Sequence, residues 1–102
     1  MHINEYQFAA MSTRMPTADE TYSQLGLAGE VGELLGYIAK CRRDGVAVDV
    51  NYICKELGDV LWFVASIAED FDIQLGAVAQ KNLTKLKGRK ERGTLGGNGN
   101  ER

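Results

Sequence analysis

The stretches LAGEVGELLGYI (27–38) and ICKELGDVLWFV (53–64) superimpose at an offset of 26 residues, and this repeat constrains the fold more than any other feature. Leu27 falls on Ile53, Val31 on Leu57, Leu34 and Leu35 on Val60 and Leu61, and Ile38 on Val64. Apolar residues three and four apart make one stripe of an α-helix, whereas a half-buried strand alternates every second residue. The repeat therefore predicts two long helices whose stripes pack together. The acids keep the same phase: Glu30 falls on Glu56 and Glu33 on Asp59, with Gly32 and Gly58 inside the two pairs.

The flanking segments complete an all-α reading. Ile3, Tyr6, Ala10 and Met11 stand at helical spacing in a segment, 3–15, that must stop before Pro16, because the residue preceding a proline is driven out of the α region. Residues 17–21 offer several caps for the helix carrying the first acidic pair, which ends near Gly45; Asp49 or Asn51 can cap the next, whose stripe runs from Ile53 to Phe71. Asp72 can cap a fourth, with Leu75, Val78, Ala79, Leu83 and Leu86 leading to the region of Arg92. No period-two segment competes. The expected architecture is a four-helix bundle over residues 1–92, followed by an aperiodic glycine-rich tail, 93–102.

A chain of 102 residues can bury one core but keeps a large surface for its volume, so association into a homo-oligomer is expected. Twelve basic and 14 acidic residues leave a net charge of −2, which argues against nucleic acid as a partner. No apolar run approaches the ~18–20 residues of a membrane span, and MHINEYQFAAM lacks the basic start and apolar segment of a secretory signal. A cytoplasmic protein without a membrane partner is expected. Cys41 and Cys54 form no CxxC, and His2 is the only histidine, so neither a zinc site nor a disulfide framework has support.

A glycine inside a helix costs about 1 kcal/mol relative to alanine, so its recurrence beside both acidic pairs needs a compensating use. At ~100° per residue, the first acid of each pair lies ~60° and the second ~120° to one side of the leading apolar residue. Both pairs thus edge the buried stripe, and packing the stripes together brings Glu30, Glu33, Glu56 and Asp59 to one end of the interface. Carboxylates held that close repel strongly unless a cation sits among them. Ligation by oxygen alone suits Mg²⁺ or Mn²⁺. The missing Cβ atoms would then admit another helix, a metal-bound water or a ligand. A single E-x-x-E is commonly just a solvated helix face; two in the same apolar and glycine phase are harder to explain that way.

On the fourth helix Asn82 falls within the apolar arc of Leu75, Ala79, Leu83 and Leu86, where a buried amide needs a partner. Lys85 and Arg89 follow at i+3 and i+7 and extend a polar column that could face phosphate oxygens, although a solvated basic face accounts for those two as well. Tyr37 and Phe63, one turn beyond the second acid of each pair, are candidates for lining a base pocket or for the core. Trp62 points away from its helix's stripe and is expected to pack on another subunit or on a nucleobase.

In these residues the chain resembles the MazG-like family of all-α nucleoside triphosphate pyrophosphohydrolases: E-x-x-E at Glu30 and Glu33, E-x-x-D at Glu56 and Asp59, then N-x-x-K-x-x-x-R at Asn82, Lys85 and Arg89. The resemblance covers residues 24–92, and the Gly-rich ending is similar to that of short phage-type members. It implies hydrolysis of a (d)NTP between the α and β phosphorus atoms, giving the monophosphate and pyrophosphate, for nucleotide-pool cleansing or dNMP supply. It further implies that the four acids hold Mg²⁺, with Mn²⁺ able to substitute, that Asn82, Lys85 and Arg89 sit near the phosphates, and that chains assemble as dimers or tetramers. Mg²⁺ can neutralise phosphate charge and lower the pKa of an attacking water, whose proton Glu33 is expected to take as catalytic base. Phosphoribosyl-ATP pyrophosphohydrolase is the alternative in the same superfamily, but commonly carries Tyr-His where this chain has Trp62 and Phe63. A ferritin-like di-metal oxidase would need Glu-x-x-His elements, which are absent, and a non-catalytic helical interaction module leaves the repeated acids unexplained. In the tail, Gly96, Gly97 and Gly99 could present backbone N–H groups, and Asn98 or Arg102 could reach a bound nucleotide, so the tail is either a lid or an end without a role.

Overall fold

A computed structural model describes residues 1–93, which form four helices and no strand: α1 (Ile3–Met11), α2 (Glu20–Asp44), α3 (Val50–Asp70) and α4 (Leu75–Arg92). The tail beyond Gly93, read as either a lid or an end without a role, lies outside the described residues.

Local chemistry sets most of the boundaries. Asp19 caps α2 by accepting the Tyr22 N–H at 2.9 Å, and Asp49 caps α3 by accepting the Asn51 N–H at 3.0 Å. At the end of α2, Gly45 takes the left-handed conformation (φ 67°), and the Val46 N–H returns to the Cys41 carbonyl at 3.0 Å. Helix α1 ends at Met11, four residues before the predicted Met15. The Ser12 and Thr13 hydroxyls donate to the Ala9 and Ala10 carbonyls at 2.5 and 2.6 Å, offering the backbone an exit ahead of the proline.

The cap of α4 also departs from expectation. Asp72 is not its cap; at φ 55° it is the left-handed residue that follows α3. The first N–H groups of α4 are satisfied from α1 instead, Leu75 donating to Gln7 Oε1 and Gly76 to Asn4 Oδ1, each at 2.7 Å. Gln7 also donates to the Ile73 carbonyl at 2.9 Å.

Helices α2 and α3 pack antiparallel: Ser23 and Ser66 share a buried hydrogen bond at one end (2.7 Å), and the Tyr37 and Tyr52 rings meet at the other (4.3 Å). Helix α1 lies on α3, and α4 on α1. Arg14, just beyond α1, pairs with Asp70 at 2.7 Å and donates to Ser66 Oγ at 3.1 Å, tying this end of α1 to the α2–α3 pair. The Trp62 indole N–H donates to Thr13 Oγ1 and the Ala10 carbonyl at 2.9 and 3.2 Å. Both bonds that fix the indole lie within one chain.

The four helices form an open row, with a radius of gyration of 16.4 Å where ~13 Å is ordinary for this length. The stripes are only partly buried. Leu34 and Phe63 are in the core and Ala65, Ala68 and Leu75 form its centre, whereas Leu35, Leu57 and Leu83 are 58, 51 and 61% exposed. The helices packed on each apolar arc do not cover it, so part of the arc faces outward.

Candidate metal centre

The antiparallel α2–α3 pair turns the sequence repeat into a spatial cluster, because the two acidic motifs run past each other at mid-length. Oxygens of Glu30, Glu33 and Glu56 all lie within 4.8 Å of one another. Glu56 is buried (8% exposed), Glu30 half-buried and Glu33 exposed, so the cluster runs from the helix interface out to solvent. Asp59 lies outside this tight group but close enough for its charge to act on Glu30. Burial foremost, then the charges of Glu33 and Asp59 and a hydrogen bond with Glu56, push the Glu30 carboxyl above its ordinary value of 4.5.

These groups fit a divalent cation. Every donor is a carboxylate oxygen, as Mg²⁺ or Mn²⁺ prefers. Glu30 Oε2 and Glu56 Oε2 are buried without a hydrogen-bond partner, a costly arrangement that an ion would relieve.

Two grooves adjoin the acids. One, of about 320 Å³, is lined by Tyr22, Glu30, Asp59, Trp62 and Phe63. The other, of about 430 Å³, lies further along α2 and is lined by Gly32, Glu33, Gly36, Tyr37, Lys40 and Tyr52. Phe63 and Tyr37 therefore belong to different grooves. Phe63 packs so tightly on Gly26 that a methyl group there would overlap its ring, so Gly26 is the glycine that a helix contact requires. At Gly32 and Gly58 nothing stands within 4 Å of where a Cβ would be, and the expected close approach of another helix is not observed there.

Asn82 and Lys85 line a separate groove with Ile73, Ala77, Val78 and Lys81, while Arg89 is buried at 3% exposure. Asn82 itself is exposed, because the arc around it is largely uncovered.

Sequence reasoning missed two aromatic neighbours. Tyr52 stands one turn before Glu56, and its interaction with that carboxylate, then burial and the nearby acids, raises its pKa. Tyr22 walls the first groove. Tyr52's i to i+4 spacing from Glu56 was the available signal; Tyr22 becomes a neighbour of the acids only through the α2–α3 packing.

Among curated proteins, the chain is 40% identical to the Gene 37 protein of Mycobacterium phage L5, an alignment of 114 positions covering all of both chains. No solved structure matches it. Residues 19–94, which include both acidic pairs and the whole α4 column, match the MazG nucleotide pyrophosphohydrolase domain, and the chain belongs to that family.

Proposed function

We propose that the protein hydrolyses a (d)NTP between the α and β phosphates, with Glu30, Glu33, Glu56 and Asp59 as the ligands of Mg²⁺ or Mn²⁺. The convergence of three carboxylates around partnerless buried oxygens, in a chain of this family, carries the reading. The bound ion would supply positive charge for the phosphates and a more acidic water. Glu33, the most exposed of the three clustered acids, takes the proton of the attacking water in this reading. Glu56 is held buried at the α2–α3 interface, with Glu30 half-buried beside it.

Phe63 and Tyr37 contact substrate from their separate grooves, and Asn82, Lys85 and Arg89 bind its phosphates. Because Asn82 and Lys85 line a groove that shares no residue with those beside the acids, this role goes with a homo-oligomer, a dimer or tetramer in which copies approach. The exposed Leu35, Leu57 and Leu83 support such an assembly. The monophosphate product serves pool cleansing or dNMP supply. Among the described residues no helix is long and apolar enough to cross a membrane, which agrees with a proposed cytoplasmic site of action. The test is a panel of NTPs and dNTPs with Mg²⁺ or Mn²⁺, resolving products by chromatography: monophosphate with pyrophosphate is expected, and diphosphate with orthophosphate would overturn the assignment.

A further inference from the structure

Trp62 walls the groove beside Glu30 and Asp59, and what holds its indole there is the turn after α1. The indole N–H donates to Thr13 Oγ1 at 2.9 Å and, less closely, to the Ala10 carbonyl at 3.2 Å. The Thr13 hydroxyl is itself oriented: its one proton goes to the same carbonyl at 2.6 Å, which leaves its lone pairs for the indole. Ala10 also accepts the Thr13 backbone N–H at 3.0 Å. That carbonyl is thus shared among three donors, and the hydroxyl is the closer acceptor for Trp62. Arg14, the next residue, is bound to Asp70 and Ser66 of α3, so the turn carrying the hydroxyl is fastened to the helix carrying Trp62.

We infer that Thr13 is a positioning residue for substrate binding: through the Trp62 indole, its hydroxyl sets the shape of the groove beside Glu30 and Asp59. Thr13 stands outside the lining of that groove, and it precedes residues 19–94, the segment that matches the family. It acts at one remove, from a part of the chain that the match does not include. The inference rests on the proposed contact between Phe63 and substrate, because Phe63 lines the same groove and meets the indole edge-on at 5.1 Å. Without the hydroxyl, the indole keeps only its longer bond to Ala10, and a ligand entering the groove has to order the ring as it binds. The loss falls on affinity, not on the metal ligands.

Thr13 is exposed, so replacing it opens no core cavity. Thr13→Val keeps the shape and removes the acceptor, Thr13→Ser keeps the acceptor, and Trp62→Phe removes the donor. Calorimetry of the full chain with Mg²⁺ and a panel of α,β-imido dNTPs, which resist cleavage at that bridge, reads affinity without turnover. Thr13→Val should weaken binding about twofold to tenfold, the worth of one net hydrogen bond, with Mn²⁺ affinity unchanged; in turnover, KM should rise while kcat holds. Thr13→Ser should bind like wild type, and Thr13→Val added to Trp62→Phe should weaken binding no further. Trp62 is the single tryptophan of the chain, so acrylamide quenching of its emission should rise in Thr13→Val and not in Thr13→Ser. Wild-type affinity in Thr13→Val, equal losses in the valine and serine variants, additive losses in the double variant, or no binding of any analogue by the wild type would overturn the inference. The expected affinity pattern without hydrolysis of any triphosphate supports the positioning role and removes the proposed reaction; hydrolysis with a wild-type KM in Thr13→Val does the reverse.

Discussion

Replacing Glu56 by glutamine should stabilise the metal-free protein while weakening its response to metal. At the 4.8 Å that bounds the oxygen separations in the cluster, two unit charges repel by ~3 kcal/mol at an effective dielectric of 20 and by ~1 kcal/mol in water. Glu56 and Glu30 lie at the helix interface, so their repulsion falls between these limits; the contribution from exposed Glu33 is discounted for screening. The amide can donate to Glu30 and matches the carboxylate in size, so the substitution removes charge without opening a cavity. A net gain of ~1–3 kcal/mol follows, a rise in Tm of about 5 °C or more at this size. Metal acts in the opposite sense. A wild-type protein at a metal concentration of 100 Kd gains about 2.7 kcal/mol, and the variant, with a ligand lost, should gain much less. Thermal melts at neutral pH, in chelator and then in Mg²⁺, read both effects. A variant less stable than wild type in chelator, or one with an undiminished Mg²⁺ shift, would refute the account of the cluster as mutually repelling ligands.

Three further outcomes follow. Because the Glu30 pKa is raised in the folded state, its contribution to stability is fully present below the ordinary value of 4.5 and is lost as pH rises through the raised value; urea midpoints in chelator should show a decline over that window that Glu30→Gln flattens. Leu57→Asp, on an exposed flank of α3, should shift the protein toward smaller species in light scattering, and a wild type that is monomeric at micromolar concentration would remove the argument for assembly. Gly26→Ala forces a methyl into the Phe63 ring and should cost ~1–3 kcal/mol by urea denaturation, whereas Gly32→Ala, with open space around it, should cause no comparable steric loss.

The parts of this structure that the sequence announces are those decided within one helix or by the phase between two. Asp19, Gly45 and Asp49 act where their side chain or backbone freedom is used locally, so the bounds of α2 and α3 are readable. The acidic cluster is readable because antiparallel packing brings together motifs that already share a phase. Gly26, Tyr22 and the α4 cap are different. Their partners, Phe63, Trp62 and the amides of Asn4 and Gln7, are far away in sequence, and no periodicity encodes them. Asn82 misleads for a related reason: an apolar arc predicts burial, but not against which chain.

The capping of α4 by α1 makes the start of one helix depend on the seating of another. Leu75 and Gly76 bond to side chains 68 and 72 positions earlier, so α4 is closed at its start by residues far back in the chain. Its early turns gain those bonds only once α1 is seated, and a contact spanning so much chain must first meet its loop-closure cost. Helix α1 thus serves as the template for the first turn of α4.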